Sequence, residues 1–172
     1  MEKKPQKSAD MGLTQDKLQA FFIHHLNLVY CAKSHLVERL PEVIEQAGFA
    51  DLRFAIQETM EDVERQIERM EEIFALLDSS YSMDECSDMI NYVEQAFKPI
   101  HQHGEDEELR DMAILYYLQN MESLEMSSFQ ILLLVAARLK NKQVLQLLKE
   151  NFDEAKDDRA LLLTIVAKYL SR

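Results

Sequence analysis

Glycine and proline are nearly missing from this chain, three of each in 172 residues. That scarcity of backbone punctuation, alongside abundant Leu, Met, Glu, Gln and Ala, excludes a turn-rich β fold and predicts an all-α protein. Cations are also in short supply: 19 Lys and Arg stand against 31 Asp and Glu, a formal charge of −12. Phosphate-binding surfaces need clustered positive charge, so neither nucleic acid nor an anionic membrane is an expected partner. No run of apolar residues approaches the 18 or so that a membrane-spanning helix requires, and the polar segment Met1 to Asp10 lacks the apolar core of a secretory signal. Two cysteines, Cys31 and Cys86, are too few for a disulfide framework and too far apart for a zinc knuckle, which leaves a reduced, cytoplasmic setting as the expectation. Glycine-rich phosphate loops, nucleophile elbows and Cys–His pairings are missing too.

What is present is helical periodicity. Residues 1–13, with Lys3, Lys4, Pro5, Lys7 and Ser8, read as a flexible tail, and 14–172 as one helical domain. From Thr14 to about Ala47 an apolar stripe runs Leu18, Phe22, Leu26, Val29, Lys33, Leu36, Leu40; Gly48 is placed for a left-handed stop, and Pro41 should kink or break the last turns. A second helix spans roughly Ala50 to Leu77 with Leu52, Ile56, Met60, Val63, Ile67, Met70, Phe74 and Leu77 on one face. A shorter amphipathic segment carries Met83, Cys86, Ile90, Val93 and Phe97 and closes at Pro99 to Gly104. Two more long helices cover about Asp106 to Leu139 and Lys142 to Leu170, joined so tightly that they must be antiparallel neighbours. Long helices with a connector able to travel their length fit an antiparallel four-helix bundle with a crossover and a short extra helix between helices two and three, the ferritin-like arrangement.

The third long helix holds the most informative pattern. Its stripe reads Leu115, Leu118, Glu122, Glu125, Phe129, Leu132, Ala136, Leu139, so two carboxylates one turn apart interrupt a core-facing surface. Buried unpaired carboxylates cost several kcal/mol and therefore take a metal, a cation or a proton. Di-metal bundles of this kind use Glu and Glu-x-x-His placements on successive helices, and their oxygen and imidazole donors suit iron or manganese. Here the second helix offers Glu61 and Glu64 beside Met60 and Ile67, and the fourth offers Glu154 and Asp157, with Asp158 close by, between Leu147 and Leu161. A competing stripe through Leu148, Phe152, Ala155 and Leu162 would instead turn Glu154 and Asp157 outward. No histidine stands at any of these places. On the first helix the stripe passes through Lys33; either its stem lies along the core while the ammonium reaches water, or the ammonium occupies the space of a metal and neutralises the acids around it. His101-Gln102-His103 reads as a loop, and Met60, Met70, Met121 and Met126 as gap-filling core.

These residues resemble the YciE/YciF-type family, small bacterial ferritin-like proteins associated with stress responses. The likeness runs through Tyr30-Cys31-Ala32-Lys33-Ser34-His35-Leu36, Glu61-Asp62-Val63-Glu64 with Gln66-Ile67-Glu68-Arg69, Glu122-Ser123-Leu124-Glu125-Met126, and Leu147-Leu148 through Glu154-Ala155-Lys156. The family pattern implies a dimeric, rubrerythrin-like protein with a di-iron-type site. This chain departs from it at Lys33, where the family has Glu, at Glu64, where it has His, and at Ala155, where it has an acid. The resulting expectation is a metal-free homodimer in which Lys33 pairs with Glu61, Glu122 and Glu154, serving a structural or stress-associated interaction role. The alternative is an iron or manganese carboxylate oxidase or peroxidase-type enzyme using Glu61, Glu64, Glu122, Glu125, Glu154 and Asp157. A third, an acidic adaptor for a basic partner, is compatible with the charge.

Overall fold

The computed structural model describes residues 12–84 and 86–171; the tail expected at 1–13 lies outside them except for its last two residues. They form an all-helical fold of α1 (Gln15–Gln46), α2 (Ala50–Leu76), α3 (Ser87–Gln102), α4 (Glu107–Leu139) and α5 (Lys142–Leu170). Capping chemistry explains three of the starts. The Thr14 hydroxyl accepts from the Lys17 N–H, Asp106 from Leu109, and the Asn141 amide oxygen from both Gln143 and Val144. At the α4–α5 joint Lys140 adopts a left-handed conformation (φ 60°), which ends α4 and reverses the chain within two residues.

Three punctuation marks behave differently from expectation. Gly48 has no positive φ; α1 ends at Gln46 and passes through an extended Ala47. Pro41 does not break α1, which continues to Gln46 because Leu40, Val43 and Ala47 are all buried and hold the last turn against the core. Pro99 likewise sits inside α3, so His101 belongs to that helix rather than to a loop.

The start of α2 is completed from elsewhere. Phe49, its N-terminal cap, makes no side-chain cap bond. Asp111 of α4, 1% exposed, reaches across and accepts the N–H groups of Gly48 at 2.8 Å and Phe49 at 2.9 Å.

Helix α1 lies against α2 and α4, α5 against the same two helices, and α3 across α1 and α4. Contacts between helix ends give the directions. Gln15 at the start of α1 bonds the Arg138 carbonyl at the end of α4, Gln19 bonds the Leu77 carbonyl at the end of α2, and Lys168 near the end of α5 pairs with Asp51 at the start of α2. Neighbouring long helices are therefore antiparallel.

The interior is divided. One apolar cluster gathers Leu36, Leu40, Leu52, Ile56, Val63, Phe97, Leu115, Leu118 and Leu162; the other gathers Phe22, Leu26, Tyr30, Met70, Phe74, Phe129, Leu132, Leu148 and Ala155. Along each long helix the change from one cluster to the other falls on a buried polar residue.

Candidate functional site: a polar layer in the core

The residues at that change are Lys33 on α1, between Tyr30 and Leu36; Gln66 on α2, between Val63 and Met70; Glu122 and Glu125 on α4, between Met121 and Phe129; and Asp158 on α5, between Ala155 and Leu162. All five are buried, with Lys33 and Gln66 fully so. Thr59 and Asn151, one or two turns away on α2 and α5, are also fully enclosed.

Lys33 meets Glu125 in a salt bridge to Oε2, and its Nζ lies 5.9 Å from the centre of the Phe129 ring. A fully enclosed ammonium needs such a counter-charge, and the aromatic face adds a weaker attraction on the other side. The remaining oxygens are under-used. Glu122 Oε2, Glu125 Oε1, Asp158 Oδ2, the Thr59 hydroxyl and the Tyr117 hydroxyl are all enclosed without a hydrogen-bond partner among the described atoms.

Burial sets the direction of the shifts among these acids, and the one cation opposes it. Burial, reinforced by repulsion from Glu125, holds the Glu122 carboxyl well above the usual carboxylate range, and attraction to Lys33 only partly offsets this. Asp158 is pushed up to about 7, chiefly by burial; Lys33 pulls it down while Glu125 and Glu154 push further up. The Tyr117 phenol is raised in turn by burial and by the Glu125 charge. Burial therefore favours the protonated forms of Glu122 and Asp158, while Lys33 is paired with Glu125.

Several acids expected at this site lie elsewhere. Glu61 and Glu64 are exposed on the outer face of α2; the inward positions are Thr59, Val63 and Gln66, because the buried stripe is rotated from the Met60–Ile67 line by about one residue. Asp157 is exposed and its neighbour Asp158 is the buried one, in keeping with the stripe through Leu148, Ala155 and Leu162. Glu154 faces Arg69 of α2, which grips it with two bonds of 2.6 and 2.8 Å. Burial alone would raise the Glu154 pKa, but the hydrogen bonds and charge of Arg69 bring it below the ordinary value. Lys33 is therefore partnered by Glu125, not by Glu61 or Glu154.

The donor set departs from the di-metal pattern. Among the described residues no group of three or more His, Cys, Asp or Glu side chains is placed to hold a metal ion. Lys33 Nζ sits on the carboxylate a metal would need, and no imidazole reaches the layer: His35, the nearest in sequence on α1, bonds Glu94 at 2.6 Å instead.

Sequence reading also missed Cys31 and Cys86, which are joined as a disulfide with a Cα–Cα distance of 5.5 Å. A cysteine at a core-facing place on α1 was the available signal; its partner, 55 residues on, could be found only from the tertiary fold.

The fold and site define a class: an all-helical protein carrying a lysine–carboxylate layer through an apolar core. The chain belongs to the family described as Domain of unknown function (DUF892), whose model matches residues 17–171. It is 27% identical over 143 residues to Protein YciF of Escherichia coli (strain K12), a match covering 81% of this chain and 84% of that protein. Among solved structures it is similar to YcfI of Rhodopseudomonas palustris, a proposed structural protein, with a TM-score of 0.76 and 27% identity over 92% of this chain and 98% of that one. It shares its fold with the E. coli stress protein YciF, TM-score 0.80, over 90% of this chain and 98% of that one.

Proposed function

We propose that this protein is a ferritin-like four-helix bundle, with α3 as the crossover, in which an internal ion pair has taken the place of a di-metal centre, and that it serves a structural or interaction role under stress rather than catalysing a reaction. The antiparallel contacts of α1, α2, α4 and α5 support the bundle. The stress role rests on the likeness to the E. coli stress protein YciF, and the structural role on the likeness to YcfI.

The observation that carries the reading is the Lys33 ammonium, wholly enclosed and bound to Glu125. A fixed positive charge at that place opposes a divalent cation by several kcal/mol at intermediate dielectric, and each 1.4 kcal/mol weakens binding about tenfold. The competing reading, an iron or manganese carboxylate oxidase or peroxidase, draws on Glu122, Glu125 and Asp158 as three buried acids with oxygens to spare.

Elemental analysis of protein purified from cells supplied with iron and manganese separates the two. Metal below a tenth of an equivalent is expected, and stoichiometric iron or manganese overturns the proposal. In Lys33→Glu, with the cation replaced by a fourth acid, metal uptake should rise.

The exposed apolar side chains Phe54, Tyr116, Leu134 and Leu163 are compatible with a homodimer. The acidic charge speaks against nucleic acid as a partner. Among the described residues no helix is long and apolar enough to cross a membrane. A cytoplasmic location remains part of this reading, and the Cys31–Cys86 bond then requires a local oxidant, because structural disulfides are uncommon there.

A further inference from the structure

The segment after α2 is strapped to α1 at three successive points. Tyr81 stacks on Tyr30, with ring centres 4.2 Å apart and planes at 28°. The Asn27 side chain, 7% exposed, captures the Ser82 backbone from both sides: its oxygen accepts the Ser82 N–H at 2.8 Å and its amide donates to the Ser82 carbonyl at 2.9 Å. Cys86 then closes on Cys31, with both residues fully buried. Helix α3 begins at the next residue, Ser87, and Met89 in its first turn covers a small cavity of about 40 Å³ between α1 and α4. That cavity is lined by Val29, Ala32, Met121 and Leu124, and its one charged wall is Glu125, the partner of Lys33. Glu125 Oε1 is enclosed and has no hydrogen-bond partner among the described atoms.

The bond, the strap and the cavity are neighbours in sequence: Ala32, which lines the cavity, directly follows Cys31 on α1, and Met89 follows Cys86 by three positions at the start of α3. We infer that Cys31–Cys86 is a redox-controlled latch, which when oxidised holds the first turn of α3 closed over Glu125 and when reduced lets that turn lift and admit water to the ion pair. The cavity's lining is almost wholly apolar and gives an isolated water few partners; lifting the turn would join it to bulk water and bring a donor to the unpartnered Glu125 oxygen.

Opening requires an external dithiol of the thioredoxin or dithiothreitol type. Its thiolate attacks one of the two sulfurs and forms a mixed disulfide, and its second thiol then closes on the first. Two electrons pass to the protein, the dithiol leaves as its own disulfide, and Cys31 and Cys86 each gain a proton. Closing is the reverse and transfers two electrons and two protons to an oxidised dithiol. Because both sulfurs are fully buried, attack must wait for the strap to loosen, so chemical and mechanical opening are coupled.

The inference does not depend on what the polar layer binds. Its test uses the whole protein, oxidised in air and then compared with the dithiothreitol-treated form and with the Cys31→Ser/Cys86→Ser variant. Intact mass and thiol titration should show no free thiol before reduction and two after it. At labelling times short enough that α5 and the last two turns of α4 stay protected in both forms, amide hydrogen exchange over residues 79–93 should quicken about tenfold or more. Peroxide should convert Met89 to its sulfoxide several times faster in the double-serine variant than in the oxidised wild type. Two free thiols in the air-oxidised protein would overturn the latch. So would identical exchange and identical Met89 oxidation in the open and closed forms, because the bond would then hold nothing shut. Equal acceleration throughout the chain would also count against it, since that is global destabilisation rather than a hinged opening.

Discussion

Lys33 and Glu125, 92 residues apart in sequence, meet as an ion pair at the place where the two halves of the core abut. Neither residue stabilises the fold alone. In an apolar interior each is tolerated because the other is there, and this asymmetry gives the first prediction.

Lys33→Met should destabilise the protein by about 3–5 kcal/mol at neutral pH, because Glu125 would be left charged and enclosed with no counter-ion. Lys33→Met combined with Glu125→Leu should recover most of that loss. Urea unfolding of the wild type, both single variants and the double variant measures the coupling. Additive losses would mean that the two side chains do not share their burial cost.

Asp158 imposes a pH dependence of unusual sign. Its folded pKa of about 7 lies above the ordinary 3.8, so between those values the folded state holds a proton that the unfolded chain has released. Stability should therefore be fully present below about pH 4 as far as this group is concerned, and should fall as pH rises towards 7, by at most roughly 4 kcal/mol. Glu122, raised for the same first reason of burial, works in the same direction. In Asp158→Asn the decline between pH 4 and 7 should flatten, and the variant should match or exceed the wild type at pH 8. Unfolding midpoints across that range provide the check, and an unchanged slope would remove Asp158 as its cause.

Arg69 and Glu154 should behave in the opposite sense. Their two-bond pair joins α2 to α5, with side chains 19% and 24% exposed. Because the folded pKa of Glu154 is lowered, its contribution is present above the ordinary value of 4.5 and is lost as pH falls through the folded value. Arg69→Met should cost about 1–2 kcal/mol at pH 7 and markedly less in acid, a paired geometry being stronger than an ordinary surface contact. A loss that does not change with pH would point to packing rather than charge.

Reducing Cys31–Cys86 should lower unfolding stability by about 4 kcal/mol, given a closed loop of roughly 55 residues. For a chain of this size that corresponds to a drop of about 10 °C in Tm. Calorimetry with and without dithiothreitol measures it, and the Cys31→Ser/Cys86→Ser variant should be insensitive to the reductant.

How far the sequence could be read depended on whether a helix had one apolar stripe or two. On α4 the stripe read from the sequence passes through Glu122 and Glu125, and both are buried; on α1 it passes through Lys33, which is buried as well. Helix α2 offers a second line through Met60 and Ile67, which are partly buried, so the inward face could be misplaced by about one residue. That shift exchanges Glu61 and Glu64 for Thr59 and Gln66. The same ambiguity on α5 exchanged Asp157 for Asp158. A step of one residue turns a helix by about 100°, so an error invisible at the level of helix limits is decisive for a buried site. The Cys31–Cys86 bond and the grip of Asn27 on Ser82 have no local signature, since they depend on where the connector returns to α1.

The reach of Asp111 to Gly48 and Phe49 carries a consequence for how this molecule assembles. Helix α2 lacks a starter of its own and borrows one from a side chain more than sixty positions downstream. A ribosome that has released only the first two helices has thus made an αα-hairpin whose second arm is left fraying at its origin. Completion of that arm is deferred until α4 emerges, which ties the early and late parts of the polypeptide into one all-or-none event and disfavours a half-built intermediate.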